Sequence, residues 1–124
     1  MSVAVELEEL RERVEEYGPT AFLTTVGRDG RAHVVSVAVR LEGQTLVAGV
    51  GSTTASNIDG QPAVTLLWAA PSGTDYCLIL DGTAVVRDGV DEKTAVVTPS
   101  RAVLHRLADA AGDGPNCVTV LDRR

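Results

Sequence analysis

Residues 44–68 read QTLVAGVGSTTASNIDGQPAVTLLW. The stretch falls into three parts. Gln44–Val50 is rich in β-formers and runs into Gly49 and Gly51. Ser52–Asn57 holds five small polar side chains, interrupted only by Ala55. Asp59-Gly60-Gln61-Pro62 then imposes a turn, because Gly60 tolerates positive φ and Pro62 fixes its own φ. Ala63–Trp68 is apolar, partly β-branched and bounded by Pro62 and Pro71, which predicts a buried strand. Two strands around a hydroxyl-rich loop frame a small-molecule site, since backbone N–H groups and hydroxyls there can hold an anion. The same residues also support a structural role, with Ser52, Thr53 and Thr54 capping one helical turn at Ala55–Ile58. Taken alone, the stretch favours the cap.

Working outward, the upstream chain reads as one helix and three strands. Leu7, Leu10, Val14 and Tyr17 recur at helical spacing within residues 3–17, and Gly18-Pro19 supplies the stop. Thr20–Val26 alternates as a strand, Arg28-Asp29-Gly30 turns the chain, and Ala32–Leu41 continues as a valine-rich strand. Glu42-Gly43-Gln44 leads into Thr45–Val50. Downstream, Tyr76–Val86 is a strand crossed by Asp81-Gly82, a dipeptide that marks a bend or bulge. Asp88-Gly89 is a turn and Lys93–Thr98 a strand. Residues 99–111 carry both signals. Pro99, Val103, Leu104, Leu107, Ala108, Ala111 and the stop Gly112 fit a helix, while Ala102–Arg106 also reads as strand. Local rules favour the helix there. Cys117–Leu121 is a last short strand. Regular hairpin turns after one early helix predict a small antiparallel barrel.

The 124 residues suffice for one domain with a modest core. Aromatic residues make up only 3%, so that core must come from Val, Leu and Ala. The net charge is −6 and the basic residues are scattered, which argues against a nucleic-acid face. No apolar run approaches the roughly 20 residues of a membrane span, and no basic-then-apolar leader opens the chain. Cys77 and Cys117 lie far apart and form no CxxC, which argues against a disulfide framework or a zinc site. Free thiols in a reducing cytoplasm fit better. The two histidines, His33 and His105, lack the carboxylate spacing of a metal site. His33 lies among valines and reads as a core or cleft residue, and His105 as a surface one. Trp68 either packs on a planar ligand or fills the core, with the core favoured.

The run from Ser52 through Asn57-Ile58 to Gln61-Pro62-Ala63-Val64-Thr65-Leu66-Leu67-Trp68 resembles the pyridoxamine 5′-phosphate oxidase-like proteins. So do Leu78-Ile79-Leu80-Asp81-Gly82-Thr83-Ala84 and the second strand, Gly30-Arg31-Ala32-His33-Val34-Val35. The likeness spans roughly residues 17–98. It implies a mostly β fold, a split β-barrel of six or seven antiparallel strands with an N-terminal helix and a short helical turn. It also implies a homodimer with a flavin, FMN, or a deazaflavin coenzyme in a cleft between subunits, and it makes residues 100–106 strand. On this resemblance the phosphate sits at Ser52, Thr53, Thr54 and Asn57, and the ring lies along His33, Val35, Ser36 and Val37, with Trp68 as a further candidate.

The chain departs from the family pattern at several places. Thr53 and Thr54 stand where flavin-binding members carry adjacent Arg and Lys. Ala32 and Val37 stand near further basic phosphate ligands, and Cys77 replaces a ring-contacting Gln. Arg31 or Arg40 can substitute for the lost charge, and Thr53→Arg with Thr54→Lys should restore it. Pyridoxamine phosphate oxidation itself is therefore not expected. Two functions stand: a flavin- or deazaflavin-dependent oxidoreductase acting on a small molecule by hydride transfer, and a cofactor-free ligand-binding or structural protein on the same scaffold.

Overall fold

The structure is a computed structural model that describes residues 3–106 and 117–123, with side chains from residue 8 onward. The expectations for Leu7's side chain and for residues 107–116 lie outside the described residues. The element order is α1 (Val3–Tyr17), β1 (Thr20–Val26), β2 (Ala32–Glu42), β3 (Thr45–Val50), α2 (Ser52–Gly60), β4 (Ala63–Trp68), β5 (Tyr76–Asp88), β6 (Lys93–Arg106) and β7 (Cys117–Asp122).

The strands follow the order β3-β2-β1-β4-β5-β6-β7, and an additional β3–β6 pairing closes the first six into a barrel. Every pairing is antiparallel. Closure follows from the length of β6. Its first half, Lys93–Val97, pairs with β3, and its second half, Arg101–His105, pairs with β7. Local rules favour a helix over residues 99–106, while the family resemblance makes 100–106 strand. They are strand, because β5 runs alongside from Asp88 to Tyr76 and supplies ladder partners that no local pattern reveals. The register slips between Asp81 and Gly82, the bulge expected from that dipeptide. A Cβ on Gly82 would lie 2.6 Å from the Thr98 carbonyl oxygen, so only glycine permits this approach.

Alternation builds the interior. Val35, Leu23, Leu66, Leu80 and Ala102 stand side by side across β2, β1, β4, β5 and β6 and form one inward layer. A fully buried leucine contributes about 2 kcal/mol, so such layers supply the main drive to close the barrel. Trp68 is completely buried at one end, and its indole N–H donates to the Gly18 carbonyl at 3.0 Å. Leu10 and Val14 on α1 join the same core. Gly18 takes φ +90, a conformation that ends the helix cleanly.

Candidate functional site

The polar stretch Ser52–Asn57 is the first two turns of a nine-residue helix, longer than the single turn expected at Ala55–Ile58. The capping reading fails. Gly51 is the N-cap, its carbonyl accepts from the Ala55 N–H, and no side chain caps the helix. The helix stops at Gly60 because Pro62 holds Gln61 in an extended conformation. Thr54, Ala55 and Ile58 turn into the barrel mouth, while Ser52, Thr53 and Ser56 remain exposed. Asn57 fixes α2 to the barrel by donating through Nδ2 to the fully buried Thr25 hydroxyl at 3.1 Å.

Facing α2 is the tight turn between β1 and β2. The Gly27 N–H donates to the Arg31 carbonyl and the Gly30 N–H to the Gly27 carbonyl, both at 2.9 Å. Asp29 Oδ1 accepts from the Arg31 N–H at 3.1 Å, and Gly30 takes φ +79. A Cβ on Gly27 would sit 3.0 Å from Asp29 Oδ1 and 3.7 Å from Asn57 Oδ1, so the turn lies close against the helix.

Turn and helix border an open cleft of about 720 Å³. Arg28, Asp29, Arg31 and His33 form one wall, and Thr53, Ser56 and Asn57 the other. A smaller hollow of about 310 Å³ shares Arg28, Ser56 and Asn57 and extends to Gln61. Beside the cleft, β2 is half open. β3 covers it only at Val39–Glu42, so from Ala32 to Ala38 the one ladder partner among the described residues is β1. The outward backbone groups of that segment are available to a ligand's polar edge.

The structure brings together His33, Thr53 and Asn57 and separates the remaining candidates. Ser52 is exposed but does not line the cleft. Thr54 is 2% exposed, Val37 is buried in the core, and Val35 packs against it. Ser36 points to the opposite face, across from Phe22. Trp68 is core, as favoured, and offers no face to a ligand. The paired replacement of Thr53 and Thr54 by charged residues therefore cannot work as expected, because Thr54 has no exit to the cleft. Arg40 is also removed as a substitute cation, since it does not line the cleft. Arg28 and Ser56 were missed. Helical spacing places Thr53, Ser56 and Asn57 on one face, a signal available once the stretch is read as a full helix.

At the far end of the sheet, Cys77, His105 and Cys117 are cross-strand neighbours, and the Cys77 thiol donates to the His105 carbonyl at 3.1 Å. Among the described residues no group of three His, Cys, Asp or Glu side chains is placed to hold a metal ion.

A sequence model of the family described as pyridoxamine 5′-phosphate oxidase matches residues 7–122. Uncharacterized proteins of Mycobacterium bovis and Mycobacterium tuberculosis are each 39% identical over 124 residues, covering 90% of this chain and 85% of theirs. Among solved structures, a Clostridium acetobutylicum protein related to general stress protein 26, of the pyridoxinephosphate oxidase family, superposes with a TM-score of 0.67 at 15% identity, over 91% of this chain and 92% of that one. A heme binding protein from Mycobacterium smegmatis gives 0.68 at 18% identity, over 93% and 58%. An F420 reductase gives 0.58 at 19% identity, over 69% and 90%. At these identities the structural likeness concerns the fold alone.

Proposed function

The chain belongs to the pyridoxamine 5′-phosphate oxidase family, and from that premise we propose that it is a flavin- or deazaflavin-dependent oxidoreductase. The observation that carries this reading is the cleft between the β1–β2 turn and α2, continuous with the half-open edge of β2. Thr53, Ser56 and Asn57 offer two hydroxyls and an amide to a phosphate. The ring would lie beside His33, with its polar edge against the unpaired backbone of β2. When bound, the coenzyme supplies hydride transfer to or from a small organic substrate. The residues of the chain bind and orient it and exclude water on the barrel side.

The reading includes a homodimer. Phe22, Leu67 and Ile79 form an outward row across β1, β4 and β5, and Val34 stands near it on β2, 56% exposed. An apolar face of this kind is covered by association with a like surface. The two free thiols, Cys77 and Cys117, suit a reducing cytoplasm. No helix among the described residues is long and apolar enough to cross a membrane.

A second reading rests on α2, whose sequence STTASNIDG holds no basic residue. On that reading the scaffold holds an unphosphorylated ligand and performs no redox chemistry. Titration of the purified protein with FMN, a deazaflavin coenzyme and hemin, followed by visible absorbance, separates the two. Saturable spectral shifts with a flavin or deazaflavin are expected. Shifts with hemin alone would transfer support to the second reading.

A further inference from the structure

We infer that Arg28 and Arg31 form a two-guanidinium clamp that holds the phosphate of the cleft's ligand. The inference rests on the cleft reading above and assigns the charge that α2 lacks. Arg13, Arg40, Arg87, Lys93 and Arg101 each lie within 4.0 Å of a carboxylate. Arg28 and Arg31 make no ion pair and no side-chain hydrogen bond among the described residues. Arg11 and Arg123 also make no ion pair among the described residues, so what distinguishes Arg28 and Arg31 is that they share one cleft, opposite two free hydroxyls.

The turn determines how the pair is presented. The Gly27–Arg31 and Gly30–Gly27 hydrogen bonds fix the backbone from which both side chains leave. Asp29 lies between them in sequence and lines the same cleft, with its Oδ1 accepting from the Arg31 N–H, so the cleft lining carries two guanidinium groups and one carboxylate. The local balance is positive in a chain of net charge −6. Guanidinium groups meet phosphate oxygens through two parallel charge-assisted bonds, shorter and stronger than neutral ones. Arg28 also lines the adjoining hollow that reaches Gln61, so it stands at the wall the two cavities share. A phosphomonoester dianion on that wall would receive both arginines from one side and Thr53 and Ser56 from the other. The ligand class is thus a phosphorylated molecule, selected by charge at the turn.

The test compares FMN with riboflavin, which lacks the phosphate, on wild type, Arg28→Gln, Arg31→Gln and the double variant. Both side chains are exposed and without a partner among the described residues, so the variants should keep the wild-type circular dichroism. Wild type should bind FMN at least ~10-fold more tightly than riboflavin, with a preference that weakens as salt rises. Each single variant should lose part of the preference, and the double variant nearly all of it. A double variant that keeps the full preference overturns the clamp while leaving the cleft reading in place. If neither flavin binds wild type, the flavin form of the cofactor reading falls, and inorganic pyrophosphate decides the clamp. Amide shifts at Gly27, Gly30 and Arg31 in wild type, absent from the double variant, then support it as a phosphate site. No shifts in wild type overturn it.

Discussion

The indole Nε1 of Trp68 donates to the carbonyl oxygen of Gly18 at 3.0 Å, joining the end of β4 to the turn between α1 and β1. The contact is half-buried at the α1–β1 turn, although Trp68 itself has no solvent exposure. Trp68→Phe keeps most of the packing but leaves the carbonyl without its donor. Losing a half-buried hydrogen bond of this kind costs about 1 kcal/mol. Urea unfolding followed by far-ultraviolet circular dichroism should show that loss, since the variant removes the chain's single tryptophan.

Gly82 lies at the β5 bulge, where a Cβ would come within 2.6 Å of the Thr98 carbonyl oxygen and 2.8 Å of Val97 Cγ1. One neighbour is backbone and cannot rotate away. Gly82→Ala should destabilise the barrel by about 3 kcal/mol, the upper end of overpacking costs. A thermal midpoint equal to wild type would show that the bulge can shift.

Thr53 and Thr54 are adjacent in sequence and opposite in consequence. Thr53 is exposed on the cleft wall, and Thr53→Arg should tighten a phosphorylated ligand about tenfold, equivalent to ~1.4 kcal/mol. Thr54 is 2% exposed, so Thr54→Lys drives an ammonium into the barrel mouth. That variant should lose several kcal/mol of stability. Calorimetric titration and denaturation of the two single variants check the pair.

The Tyr17 hydroxyl donates to the Tyr76 carbonyl at 2.7 Å. Burial first, then the neighbouring Glu16 carboxylate, raises its pKa above the ordinary 10.0. The folded state therefore favours the protonated phenol. Its contribution to stability is complete below the unfolded pKa and is lost as pH rises through the folded one. Stability should fall above about pH 10, and Tyr17→Phe should flatten that part of the profile. Denaturation midpoints between neutral and alkaline pH provide the measurement.

Phe22 is 42% exposed in the outward apolar row. Phe22→Asp places a carboxylate there and should convert the proposed dimer to monomer at micromolar concentration, because an unpaired charge is costly in an apolar interface. Sedimentation velocity compares the two proteins. A wild-type protein that already sediments as a monomer would reject the dimer.

The elements most legible in the sequence were those set by local rules. α1 ends at Tyr17, where Gly18 adopts positive φ, and β1 and β4 begin and end where alternation and turn residues put them. Past Pro99, β6 was legible only through the family resemblance, because its continuation depends on β5 and β7, distant in sequence. The site was only partly legible, for reasons of geometry. Strand alternation turns Val35 and Val37 inward and Ser36 outward, so these three cannot present side chains to one ring. Helical spacing likewise assigns Thr54 to the core and Ser56 to the cleft. Arg28 belongs to a turn, where sequence alone does not say which way a side chain leaves.

The order of the strands has a kinetic consequence. The pairings β1–β2, β2–β3, β4–β5, β5–β6 and β6–β7 join segments adjacent in the chain, whereas β1–β4 and β3–β6 do not. The molecule is thus two meanders joined through α2. Each meander can form by local zippering, but the seam that pairs Leu46 with Val97 must wait until the two have found each other. Entropy of loop closure is spent before that seam returns any contact energy, and pairings of this kind place refolding on the millisecond-to-second scale. The rate-limiting event should be the docking of the meanders. Substitutions within a hairpin formed before docking should slow refolding, and those at seam contacts completed after it should mainly speed unfolding.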